Sequence, residues 1–315
     1  MEHMNNNKTI HAYAPASIGN VSCGFDVMGM AVNAPGDEVL LSLNDSGTVT
    51  IEDIQGDNGK LPRNAAENTA GVAVIEFLKA IDSKHGAKIT LIKNLPLGSG
   101  MGSSAASAVA AVVAVNHALG EPFLKADLLP FVMQAEFVAC GSAHADNAAP
   151  SLLGGLILIR DNHPLDIIEI PTPDDLMCVL VHPHVEVKTR DARQVLKSSV
   201  PLKDAITQWG NTAALVAGMM KPDYELIGRS LQDVVAEPVR SVLIPGFHSI
   251  KQAAVDAGAL GCGISGSGPT MFSFCKGKAI ADSVGAAMQQ QFTRVGLQSE
   301  VYVSKVNKEG ARVIG

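Results

Sequence analysis

Strand-length and helix-length apolar runs interleaved along the whole chain predict an α+β protein of two domains. Short apolar runs stand between longer ones with helical spacing, from Ile10 to Val306. The 315 residues, 47% apolar and 17% charged, suffice for two cores of ordinary size. Between them Asp161 to Asp175, rich in proline and acids, reads as a joint, giving domains over 1–165 and 166–315.

Ile10 to Ser17 alternates as a strand and runs into a glycine-punctuated loop, Gly19 to Asp26. Val39 to Leu43 and Thr48 to Ile54 are further strands, followed by a polar loop from Gln55 to Arg63. Asn64 to Ile81 sets Val72, Val74, Ile75 and Leu78 at helical spacing. Lys88 to Ile92 is the strand, and Ser103 to Leu119 the Ala/Val helix, that flank the most informative corner of the chain. A helix over Asp127 to Val138, a polar loop over Gly141 to Pro150 and a strand over Leu152 to Arg160 complete the first domain. The order restarts with a strand from Met177 to His182 and helices from Thr189 to Leu196, Asp204 to Met219, Tyr224 to Gln232 and Phe247 to Ala257. Strand Met271 to Cys275, helix Ile280 to Phe292 and strand Val301 to Val306 finish it, with no internal repeat.

A net charge of −7 argues against nucleic acid as the main partner, because backbone binding relies on a basic face. The five cysteines are odd in number and lack a Cys-x-x-Cys pair, so reduced structural thiols are expected rather than a disulfide framework or zinc. The sequence lacks an uninterrupted apolar run of membrane-spanning length, and its first residues lack the basic-then-apolar order of a secretion signal. A cytoplasmic protein is expected.

The corner is Pro96-Leu97-Gly98-Ser99-Gly100-Met101-Gly102-Ser103-Ser104-Ala105-Ala106. Alternate glycines let backbone approach a partner closely, and the serines stand where an N-cap and first helical turn belong. Unpaired amides plus the positive end of the helix dipole make an anion site, suited to a polyphosphate. A Walker loop is excluded, since no lysine lies between Lys93 and Lys125. A dinucleotide fingerprint fails too: the third glycine comes one residue early, and Glu121 follows the helix directly in a Gly-Glu-Pro turn. A plain tight turn is the alternative for an isolated glycine trio. The full pattern, however, resembles the phosphate loop of the GHMP kinases, with Met101 in place of their usual leucine.

Two further motifs support the resemblance. Gly261 to Thr270 alone reads as a bulge or hairpin corner, yet the family carries a glycine-rich motif of this form near the C-terminus. Ala14-Pro15-Ala16-Ser17 through Gly24-Phe25-Asp26 is similar to the N-terminal signature of the homoserine kinases within that family, with Ile18-Gly19 replacing their usual Ser-Ala. The resemblance implies a ribosomal-protein-like N-terminal domain, a ferredoxin-like C-terminal domain and ATP-dependent phosphorylation of L-homoserine. Another GHMP small-molecule kinase, of mevalonate or a sugar, and a silent nucleotide-binding regulator are the alternatives.

Residue by residue, the resemblance assigns the phosphate loop 96–106 to ATP, and Ser104 and Glu136 to Mg2+. Glu136 interrupts an apolar helix, where an unpaired carboxylate is costly to bury, although a solvent-facing glutamate is the ordinary reading. Asn147 is placed against the substrate hydroxyl, in the crowded segment Ser142 to Pro150, with the role of Asp146 as a base left open. Arg193 and Arg240 match the family's carboxylate clamp, where bidentate pairing favours arginine; a surface ion pair is the plain alternative for each. Asp26 takes the ammonium, Asn20 and Thr189 add polar contacts, and Asn68 lies near adenine. The expected catalytic set is Asn147, Glu136 and Ser104, and the sequence leaves room for a homodimer.

Overall fold

The computed structural model describes residues 8–141, 145–187 and 189–315. Strands β1 (Ile10–Gly19), β2 (Met28–Asn44) and β3 (Val49–Gln55) come first, then helix α1 (Thr69–Ala80), β4 (Gly86–Ile92) and α2 (Ser103–Ala118). Helices α3 (Leu129–Cys140) and α4 (Ala145–Leu153) precede the hairpin β5 (Leu156–Asn162) and β6 (Leu165–Ile170). The second half runs β7 (Leu176–Pro183), α5 (Thr189–Gln194), α6 (Leu202–Met220), α7 (Tyr224–Ser230), α8 (Glu237–Arg240) and α9 (Phe247–Asp256). It ends with β8 (Gly261–Ile264), β9 (Met271–Lys276), α10 (Lys278–Arg294), β10 (Ser299–Lys305) and β11 (Arg312–Val313).

The first sheet follows the order β11-β1-β2-β4-β3, with the β5–β6 hairpin joined to the start of β2. Alternate positions of β1, from Ile10 through Ala12, Ala14 and Ala16 to Ile18, enter the core. Their small side chains admit α2, whose Ala/Val sequence is apolar on every side and correspondingly buried on every side. Phe77 of α1, Phe123 of the α2–α3 connection, and Phe131 of α3 meet edge to face at 5.3–5.4 Å and close the outer layer.

The second sheet has the order β10-β7-β9-β8, with every pairing antiparallel. Taken as strands one to four of this half, that is the 4-1-3-2 arrangement of a ferredoxin-like layer. β7 is buried along its whole length: Met177, Val179 and Val181 face α9 and α10, while Cys178 and Leu180 join Phe272 and Phe274 in the core of the first sheet. The two sheets therefore share apolar contacts. Of the proline- and acid-rich stretch that reads as a joint, Asp161 to Ile170 closes the β5–β6 hairpin, residues 171–175 carry the chain across to β7 in the second sheet, and β11 returns it to β1.

Candidate active site

The Pro96–Ala106 corner lies between β4 and α2, as its flanking runs require. Its capping differs from expectation. The residue preceding α2 is Gly102, at φ +70°, and Ser103 and Ser104 are the first two helical positions; among the described residues no side chain caps this end. The reason is steric: a Cβ on Gly102 would stand 2.3 Å from Ser17 Oγ, so only glycine brings the chain in so close. The serine hydroxyls serve other partners, Ser103 donating to the Leu95 carbonyl (3.3 Å) and Ser104 to Glu136 Oε2 (3.0 Å).

Four successive loop carbonyls are taken up by the protein. Gly98 accepts from Val187 N (3.3 Å), Ser99 from Thr270 N (3.1 Å), Gly100 from Ser265 Oγ (2.8 Å) and Met101 from Ser17 N (3.1 Å). Because a trans peptide is planar, each carbonyl turned into the fold leaves the following N–H directed the other way. The bonds also join all three glycine motifs, since Gly266 N donates to the Gly19 carbonyl (3.0 Å). A cavity of about 530 Å³ opens beside the loop and is lined by Leu61, Asn68, Gly98 to Gly100, Ser104, Glu136, Asn147, Thr189 and Ser267. That size suits a small-molecule site.

Sequence reasoning passed over the support under this corner. Lys93, at the end of β4, is buried with its ammonium on Asp37, Ser103 O (2.9 Å) and Ser107 Oγ (2.7 Å), while Asp37 Oδ1 accepts from Asn94 N and Leu95 N. This ion pair ties the loop's entry to the first turn of α2. The only signal was a charged residue closing an apolar strand.

On α3, Glu136 turns inward: Oε2 accepts from Ser104, and Oε1 is buried without a hydrogen-bond partner among the described residues. Burial pushes its carboxyl up to about 7, against the Ser104 hydrogen bond and the charge of Lys93. An orphaned carboxylate oxygen beside a serine hydroxyl on the cavity wall is a donor set suited to a hard divalent cation.

The polar loop expected from Gly141 to Pro150 is, from Ala145 onward, helix α4; Ser142, Ala143 and His144 lie outside the described residues. Pro150 cannot donate to the Asp146 carbonyl, and that carbonyl faces Gly29, where a Cβ would be 1.6 Å away. Asn147 Oδ1 accepts from Ser17 Oγ (2.9 Å), leaving its amide nitrogen toward Gly19. Asp146 is buried next to it, and burial, with the nearby Asp26 charge, raises its carboxyl to about 7.

Asp26, Arg193 and Arg240 come together from three separate segments. Arg193 donates to Asp26 Oδ1 (3.3 Å) and Oδ2 (2.6 Å). Arg240, 5% exposed, donates to the Ala192 carbonyl (3.1 Å) and the Gly266 carbonyl (3.0 Å), and burial holds its guanidinium below the usual range. Both guanidinium groups lie over the Phe25 ring, 5.8 and 5.1 Å from its centroid. Asn20, at φ +67°, accepts from Asp26 N (2.9 Å) and donates to Gly266 O (2.9 Å), so it ties two motifs together with both ends of its amide. Thr189 Oγ1 reaches Ser267 Oγ at 3.4 Å on the cavity wall. Asn68 caps α1, with Oδ1 accepting from Ala70 N (3.1 Å) and Nδ2 donating to Pro62 O (2.9 Å); its side chain lines the cavity with both polar ends engaged.

Two family models, of the GHMP kinases N terminal domain and the GHMP kinases C terminal domain, match residues 68–155 and 215–294. The chain is 53% identical to a homoserine kinase of Chlorobium phaeobacteroides (strain BS1), over 98% of this chain and 100% of that one. It is 38% identical to a homoserine kinase of Xylella fastidiosa (strain M12), over 96% and 93%. The crystal structure of homoserine kinase from Cytophaga hutchinsonii superimposes with a TM-score of 0.96 at 51% identity, covering 100% of this chain and 99% of that one. The chain belongs to the GHMP kinases and, inside that family, to the homoserine kinases.

Proposed function

We propose that this chain transfers the γ-phosphoryl group of ATP to the side-chain hydroxyl of L-homoserine, yielding O-phospho-L-homoserine. One observation carries the reading furthest. The uncapped start of α2 opens on a cavity whose wall also holds Asn147 and Thr189, next to a cluster in which Asp26 pairs with Arg193 and Arg240 donates to the Gly266 carbonyl. An anion site thus adjoins groups complementary to an amino acid.

Residues 96–106 bind the phosphates through backbone amides, and Ser104 and Glu136 hold Mg2+. When bound, the metal neutralises charge on the transferring phosphates. Catalysis on this plan is largely positioning. Asn147 orients the acceptor hydroxyl, its amide oxygen fixed by Ser17. Asp146, whose carboxyl titrates near neutrality, stands behind it, and a loose transition state places little demand on early proton abstraction. Homoserine's ammonium takes Asp26 and its carboxylate takes Arg193 and Arg240, so the zwitterion exchanges partners with the Asp26–Arg193 pair at no net change in charge. Asn20 and Thr189 complete the pocket, and Asn68 shapes the wall near adenine.

A coupled ADP-release assay over homoserine, mevalonate and galactose tests this directly. Turnover with homoserine alone is expected. Mevalonate lacks the ammonium that Asp26 requires, and preference for it or for galactose would overturn the reading.

A further inference from the structure

The segment that carries Asn20 and Asp26 is strained. Asn20, Val21, Ser22 and Asp26 all have positive φ, between +43° and +67°, and for a β-branched residue such as Val21 this is a costly conformation. Such backbone persists only where its surroundings over-determine it. Here Gly266 holds the start of the segment and α6 its middle. The Cys23 carbonyl accepts from both Gln208 Nε2 and Thr212 Oγ1, each at 2.8 Å.

Gln208 does more than hold that carbonyl. Its second amide hydrogen goes to Asp233 Oδ1 (3.0 Å), and its Oε1 accepts from Val234 N (2.9 Å). Asp233 in turn accepts from Val235 N, Ala236 N and Glu237 N, at 2.8–3.0 Å, and so sets the start of α8, which ends at Arg240. One amide, with every donor and acceptor used, therefore bridges the segment bearing Asp26 and the segment bearing Arg240.

We propose that Gln208 is a positioning residue for the amino-acid clamp. It sets the spacing between the group that takes the ammonium and one that takes the carboxylate, and with it the length of zwitterion accepted. This rests on the homoserine-binding reading given above. Thr212 still holds Cys23, Asp233 still caps α8 and the Gly266 carbonyl still takes Asn20 and Arg240 when Gln208 is replaced, so its loss relaxes the spacing of the two segments without unfolding either.

The test is steady-state kinetics of the full chain with Gln208→Leu, Gln208→Glu and Asn211→Ala. Asn211 sits on the same helix and donates to the Gln232 carbonyl (3.0 Å), so it docks α6 without reaching the Asp26 segment. Both Gln208 variants should raise the homoserine KM by about tenfold or more, the effect of one stranded buried group. The ATP KM should stay within about twofold in both, and Asn211→Ala should leave both constants near the parent values. Gln208→Glu preserves size and supplies the result if Gln208→Leu fails to fold. A homoserine KM within twofold of the parent overturns the assignment, as does a parallel rise in both KM values or an equal rise in Asn211→Ala. A parent enzyme inactive on homoserine would instead sink the underlying functional reading.

Discussion

At Glu136 burial and charge conflict. Its carboxyl keeps a proton to about pH 7 in the folded chain, against an ordinary value of 4.5, so the folded state binds the extra proton between those limits. Stability contributed by this group is present below about 4.5 and is lost as pH rises through 7. Without metal and nucleotide, Glu136→Gln should therefore gain in Tm relative to the parent from pH 5 to 7.5 and level off above. A difference independent of pH would show that the carboxyl is ordinarily solvated. In the assay the same variant should lose at least about tenfold in kcat, partly recovered at high Mg2+, if Glu136 holds the metal. At this scale the sequence was informative where a residue type was out of place, as with Glu136 inside an apolar helix and the few arginines of an acidic chain. It gave one faint sign of Lys93, a charge closing an apolar strand, and none of Gln208, because the roles of both depend on partners far along the chain.

The glycine corner shows how an element can be legible in outline and misread in detail. Strand, turn and helix fell where hydrophobic spacing put them, but the cap passed from the serines to Gly102 because Ser17 crowds the turn from outside. Likewise Asp146, Asn147 and Pro150 suggest a turn by local propensity, yet α4 forms there, its start buried against Gly19 and Gly29 of the first sheet. Tertiary packing overrode preference in both. Gly102→Ala against Gly120→Ala separates the two demands on such a glycine. Gly120, at φ +77°, has open space around a new Cβ, and alanine there should cost only the left-handed penalty of about 1–2 kcal/mol in unfolding free energy. Gly102→Ala meets the same penalty and the Ser17 hydroxyl, so it should lose more stability and raise the ATP KM as well. Equal effects of the two on ATP would remove the corner from nucleotide binding.

Across the whole molecule, the sequence separated two halves that the structure fuses. Both faces of β7 are buried, one in each apolar cluster, and a strand apolar at every position cannot say from sequence alone which core it serves. This shared core is what brings the Pro96–Ala106 corner from the first half close to Thr189, Arg193 and Arg240 from the second. The three glycine motifs, far apart in the chain, become one hydrogen-bonded unit for the same reason. The central claim is that amides of the 96–106 turn hold the phosphate tail without a lysine reaching it. A crystal structure with Mg2+ and a non-hydrolysable ATP analogue tests it most directly. The account predicts the triphosphate against the start of α2, with the metal between Ser104 and Glu136; a triphosphate seated anywhere else would contradict it.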